Sequence, residues 1–149
     1  RFVENGEVLW DDLKKAARLG VRFLDNIIDI TPYFFEENEK VQKAERRIGM
    51  GTMGLAEMLI KLGLRYGSPE PPEMTDKVYR PIATEAYLSS VELAEEGSFP
   101  MFDAEKFLQS GFMQAMPEEV REAVRAKGIR NATLLTQAPT GTTGTMVGT

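Results

Sequence analysis

The chain of 149 residues contains no cysteine and no histidine. The first absence excludes a disulfide framework and any thiolate metal site. The second removes the commonest metal ligand and the side chain whose ordinary pKa lies nearest neutrality. Ser-His-Asp and Cys-His mechanisms are therefore excluded within this chain. Basic charge is also short: 18 Lys and Arg face 23 Asp and Glu, a formal net charge of −5. That balance argues against a basic nucleic-acid-binding surface. No apolar run approaches the roughly 20 residues needed to span a bilayer. Nor does the start show the basic-then-apolar order of a secretory signal. The expectation is a soluble, cytoplasmic protein, with neither nucleic acid nor membrane among its direct partners and small anions as its ligands.

What is present is mostly helical in period. The length suits one domain with a real core. Arg1 to Val3 reads as the end of a strand, with Asn5-Gly6 as a turn. From Val8 to Ile30, Leu9, Leu13, Ala16, Ala17, Leu24, Ile27 and Ile28 gather on one side of a helix that Thr31-Pro32 ends. Trp10 and Phe23 are expected to pack, and the triplet Tyr33-Phe34-Phe35 to pin a connector to the core. Glu36 to Arg47 reads as a solvated helical face, with no ligand assigned to Arg46 or Arg47. Tyr66 to Pro72 is a turn-rich connector. Thr75 to Glu96 reads as a second long helix with Thr75 as a possible cap, started or kinked at Pro81 and stopped by Gly97. Phe99 to Phe102 is an apolar connector. A short helix from Asp103 to about Ser110 precedes another over Pro117 to Lys127, with Gly128 at its end.

Gly49-Met50-Gly51-Thr52-Met53-Gly54 spells G-x-G-x-x-G, but the dinucleotide reading needs an apolar strand before it. Here a charged, helical-type stretch precedes the glycines. Helical spacing then runs through Leu55, Met58, Leu59 and Leu62 to Gly63. Glycines on a helix face that let a neighbour approach closely are the preferred account. The adjacent carboxylate pairs, Asp11/Asp12, Glu36/Glu37, Glu95/Glu96 and Glu118/Glu119, do not face each other on a helix, which makes them poor acid/base pairs.

The C-terminal stretch from Ala132 to Thr145 carries the chemistry. A β-branched apolar run, Ala132 to Thr136, reads as a buried strand and empties through Pro139 into a Thr/Gly loop. If Thr142 to Val147 opens a helix, its first-turn amides favour an anion. There is no lysine after Pro139-Thr140-Gly141, so the loop is not a P-loop and relies on amides and hydroxyls. An ordinary Thr/Gly loop capping a helix stays open beside the phosphate reading.

"RNATLLTQAPTGTTGT" (Arg130 to Thr145) closely resembles the substrate-phosphate loop of ribonucleotide reductase large chains. "RRIGMGTMGLAEMLIKLGLRYGS" (Arg46 to Ser68), "GVRFLDNIIDI" (Gly20 to Ile30) and "EEGSFPMFD" (Glu95 to Asp103) resemble the same family in the same order. The Pro-Thr-Gly-Thr-Thr form is most similar to the adenosylcobalamin-dependent class. The resemblance implies an α/β, helix-rich fold: residues 1–149 as part of a ten-stranded α/β barrel, helical mostly over 8–127, with strand and phosphate loop over 132–145. It implies thiyl-radical conversion of ribonucleotides to deoxyribonucleotides, with the cysteines on other polypeptide. Thr140, Gly141, Thr142, Thr143 and Gly144 would bind the phosphates of a ribonucleoside di- or triphosphate. Adenosylcobalamin would be bound mainly by segments absent from this sequence, and no metal ligand is assigned here. The remaining implied partners are the rest of the reductase chain and a thioredoxin- or glutaredoxin-type reductant. The start at Arg1 and the stop at Thr149 suggest an internal piece, poorly behaved alone because apolar faces would lack their partners. The alternatives are a non-enzymatic helical subunit or interaction module and, on the glycine motif alone, a nicotinamide-binding domain.

Overall fold

The computed structural model describes residues 1–65, 68 and 71–149. It opens with a hairpin, β1 (Val3–Glu4) against β2 (Glu7–Val8), antiparallel with Val3 opposite Val8. Asn5 and Gly6 both take positive φ, 52° and 78°. That is the turn whose twist matches the strands, and Asn-Gly is the pair that tolerates it.

Helix α1 (Trp10–Ile30) follows and buries Leu13, Ala17, Val21, Asp25 and Ile28, one stripe at helical spacing. Thr31 leaves the helical region at ψ 124° ahead of Pro32, so the helix ends where the proline dictates. Helix α2 (Glu36–Glu45) buries nothing, as its charged composition implies. Helix α3 (Leu55–Lys61) starts after Gly54, which sits at φ 80°. Helix α4 (Pro71–Leu93) is the longest and continues into a single 3-10 turn, Ala94–Glu96, stopped by Gly97 at φ 109°. Three shorter helices follow, α5 (Ala104–Leu108), α6 (Gly111–Ala115) and α7 (Glu118–Lys127), and α8 (Gly141–Val147) closes the chain. Asp103 caps α5 by accepting from the Lys106 amide, and Ser110 caps α6 by accepting from the Met113 amide. Gly128, at φ 79°, terminates α7.

Helices α1 and α4 pack side by side, and α7 packs on α4. The main core lies between them and contains Val21, Tyr87, Val91, Phe99, Val120 and Leu134. A smaller cluster of Leu13, Ala17, Val78 and Ile82 extends it toward the hairpin. Ion pairs lace the outer seam of the α1–α4 contact: Arg18 to Glu85 and Glu92, and Arg22 to Glu96. Tyr87, at the edge of the core, stacks on the half-exposed Phe112, and burial pushes its hydroxyl pKa up to about 12.

Several expectations are corrected. Phe23 does not pack among the described residues, being 61% exposed, and Trp10 is covered only in part at 37%, because α1 turns its other face to α4. Phe34 and Phe35, 90% and 57% exposed, pin nothing to the core, and only Tyr33 ties back, donating to the Ile28 carbonyl. Helix α4 begins at Pro71, so Pro81 does not start it and Thr75 does not cap it. Pro71 and Pro72 stand in its first turn, where a missing N–H has no intrahelical acceptor to lose. Tyr66, Gly67, Pro69 and Glu70 of the expected connector lie outside the described residues. Ala132 to Thr136 is extended but forms one isolated parallel bridge, Leu135 with Met50, rather than a strand of a ladder.

Candidate functional site

The Thr/Gly loop is approached along that parallel pair. Residues 45–50 leave α2 and run beside 132–136. The pairing bonds run Ala132 N–H to Glu45 O, Ile48 N–H to Thr133 O, Met50 N–H to Leu134 O and Thr136 N–H to Met50 O, at 2.7–3.1 Å. Both segments point the same way, so both deliver their chains to one end: the first into α3, the second into α8. The glycine motif serves this pairing. A Cβ on Gly51 would lie 2.7 Å from the Thr136 carbonyl oxygen, and one on Gly49 3.0 Å from the Thr136 methyl. Close approach was the expected role, but the first two glycines lie on an extended segment, not on a helix face. Gly54 has a different reason, the left-handed backbone that opens α3.

A buried polar network fixes the start of the pair. Asp25, 1% exposed, interrupts the apolar stripe of α1. Its Oδ1 accepts from Arg46 Nε at 2.9 Å and from Asn131 Nδ2 at 2.8 Å, and its Oδ2 accepts from Arg130 Nε at 3.3 Å. Arg46 sits in the left-handed region at φ 48°, ends α2, and reaches on to both oxygens of Asp29 at 2.9 Å. That guanidinium holds the Asp29 carboxyl below the usual carboxylate range. Asn131 also donates to the Arg46 carbonyl at 3.0 Å. Its own Oδ1 accepts from Ser90 Oγ at 2.8 Å, and its amide donates back to that hydroxyl at 3.1 Å. Arg130 adds bonds to the carbonyls of Glu96 and Gly97. Helix α1, the end of α2, helix α4 and the start of the second extended segment therefore meet on one satisfied cluster, which low dielectric makes stiff. Arg46, 5% exposed and past the end of α2, departs from the expectation of a solvated helical face over Glu36 to Arg47. Asp25, Ser90, Arg130 and Asn131 were not singled out from sequence. The available signal was an acid placed four residues after Val21 on the buried stripe.

The far end of the pair carries the Thr/Gly loop. Thr140 takes φ 57°, which turns the chain into α8. The Gly144 amide bonds the Thr140 carbonyl at 2.6 Å, and Thr149 N–H closes the helix on the Gly144 carbonyl at 3.0 Å. Gly144 is buried, whereas Gly141, Thr142 and Thr143 are exposed. The structure thus brings Thr140, Gly141, Thr142, Thr143 and Gly144 together as one turn and the start of one helix. Their first-turn amides have no acceptor within the helix. Two grooves lie near this end, lined by residues before and after the loop and by none of Thr140 to Gly144. Thr136 and Gln137 line one of about 510 Å³, with Met50, Leu55, Tyr79 and Leu135. Val147 and Thr149 line another of about 300 Å³, with Arg1, Gly54 and Lys61.

The family described as "Ribonucleotide reductase, barrel domain" matches residues 1–149. This chain belongs to that ribonucleotide reductase family. It is 39% identical over 150 residues to the vitamin B12-dependent ribonucleoside-diphosphate reductase of Mycobacterium tuberculosis (strain CDC 1551 / Oshkosh), covering 100% of this chain and 19% of that protein. The protein of the same name from Thermoplasma acidophilum is 35% identical, over 99% of this chain and 18% of its own length. The ribonucleoside-diphosphate reductase subunit alpha of Helicobacter pylori (strain ATCC 700392 / 26695) is 33% identical, over 93% of this chain and 20% of its own. The chain spans about a fifth of the length of the relatives it matches. Its helix-rich architecture around one parallel pair is that of a piece of the reductase barrel.

The described residues contain no group of three or more His, Cys, Asp or Glu that could hold a metal ion, and none is assigned to a corrinoid cofactor. Among the described residues, no helix is long and apolar enough to cross a membrane.

Proposed function

We propose that this chain is the phosphate-holding part of a ribonucleotide reductase, an oxidoreductase that converts ribonucleotides to deoxyribonucleotides for DNA synthesis. The observation that carries this reading is the match of the whole chain to the reductase barrel family. The geometry of the loop agrees with it. The amides of Gly141, Thr142 and Thr143 and the exposed Thr142 and Thr143 hydroxyls present donors at the carboxyl end of a parallel pair, where α/β folds seat their ligands. Gly141 has open space where a side chain would stand, so a phosphate can reach the backbone. The ligand is a ribonucleoside di- or triphosphate. With no cation inside the loop, the site positions the phosphates and leaves their charge largely unneutralised, as suits a substrate that reacts at its ribose.

The radical-bearing sulfur belongs to polypeptide outside this sequence, because the chain has no cysteine. The names of the Mycobacterium tuberculosis and Thermoplasma acidophilum relatives support assignment to the cobalamin-dependent class. Adenosylcobalamin would supply radical initiation from its own site elsewhere in the longer protein. A thioredoxin- or glutaredoxin-type reductant and a cytoplasmic setting complete the reading.

Its test is the double variant T142V/T143V in the full-length reductase, read by steady-state kinetics. Loss of a hydroxyl donor to an anion is worth about 1.5–3 kcal/mol, so losing both should raise KM by roughly a hundredfold or more. An unchanged KM would remove the loop from the substrate site.

A further inference from the structure

Three side chains from three elements meet at the end of the parallel pair, and the reading above uses none of them. Tyr79 on α4 and Thr52 in the glycine turn have their hydroxyls 2.5 Å apart. Thr52 Oγ1 donates to Gln137 Oε1 at 3.4 Å, and Gln137 Nε2 donates back to the Thr52 carbonyl at 3.2 Å. Either hydroxyl can donate in the first of these bonds. Thr52 and Tyr79 are half-buried, and all three side chains line the 510 Å³ groove. Gln137 stands just ahead of Pro139, where the second extended segment leaves its pairing partner; further along, Thr149 at the end of α8 packs beside Gly54 of the glycine turn.

We infer that Tyr79, Thr52 and Gln137 form a positioning relay that fixes the Thr140–Gly144 loop against the glycine turn and α4. The inference rests on the phosphate reading for its effect on substrate, though not for its effect on the loop. Leu134 and Thr136 hold the segment through main-chain bonds only as far as the bridge. Beyond Thr136 the chain turns away, and the Gln137 amide bridges the gap with one acceptor and one donor. A loop held in its binding pose for a smaller fraction of the time binds substrate more weakly in proportion. Gln137 is a positioning residue, since it acts on the loop and touches no reacting atom. Its removal should raise KM and leave kcat within about twofold.

The test uses the full-length reductase with Q137L, T52V, the double variant, T52S, and T142V/T143V as reference. Hydrogen exchange of the amides from 138 to 145 reads the loop, and steady-state kinetics reads the substrate. Q137L and T52V should each speed that exchange and raise KM about three- to tenfold, the value of one hydrogen bond. The double variant should be no worse than the worse single, because both break one relay. T52S, which keeps the hydroxyl, should restore wild-type behaviour. Wild-type exchange in both Q137L and T52V would overturn the inference. So would an unchanged KM in Q137L where T142V/T143V raises it. Faster exchange with KM unmoved in every variant, T142V/T143V included, would keep the relay and remove the phosphate reading instead.

Discussion

Replacing Asp25 with alanine is the sharpest test of how the parallel pair is held. Asp25 is 1% exposed and sits against Arg46 at 5%. Its carboxylate accepts from the Arg46 guanidinium at 2.9 Å, from the Asn131 amide at 2.8 Å and, at a longer 3.3 Å, from Arg130. Each hydrogen bond to a charged group contributes about 1.5–3 kcal/mol. The guanidinium left behind keeps Asp29 as a partner, but that carboxylate is half exposed. The cost of D25A should therefore reach about 3–5 kcal/mol, the range for breaking a buried ion pair. The amides of Ile48 and Ala132, which bond across the pair, report this directly. In native-state hydrogen exchange on the reductase carrying this segment, they should exchange about a hundredfold to a few thousandfold faster. D29A, which removes the exposed arm, should cost about 1 kcal/mol or less. Equal acceleration in D25A and D29A would refute the claim that burial makes Asp25 the anchor.

The other predictions concern the same region. Gly51→Ala places a methyl 2.7 Å from the Thr136 carbonyl and should cost about 1–3 kcal/mol. Gly20→Ala, 2.6 Å from the flexible Met50 thioether, should cost less, and denaturant midpoints of the two variants would settle the order. Ser90→Ala leaves the Asn131 amide and side-chain oxygen without their shared partner, so a loss of about 1–3 kcal/mol is expected, again read at the Ala132 amide. The Asp29 carboxyl has its pKa lowered by Arg46. Its stabilisation is present above the unfolded value of about 3.9 and disappears as pH falls through the lower folded one. The Asp29→Asn variant should therefore lose part of the wild-type acid sensitivity below about pH 4, and identical acid unfolding curves would contradict this.

What could be read from sequence was local. Asn5-Gly6 made a turn because few residues accept two positive φ angles in succession. Thr31-Pro32 ended α1, Asp103 capped α5, Pro117 opened α7 and Gly128 closed it, each through backbone sterics or one short-range bond. The family was legible in four ordered blocks, and so was the Thr/Gly loop, because both are written in contiguous residues. Tertiary structure alone decided which faces meet. It exposed Phe23 and Trp10 by turning α1 toward α4, and it carried the glycine motif along an extended path beside Thr136. It also joined Asp25 to Asn131, 106 residues away. Periodicity marks a helix face as apolar or charged without saying what it packs against. A buried acid therefore reads as an anomaly until the folded chain brings its arginine to it.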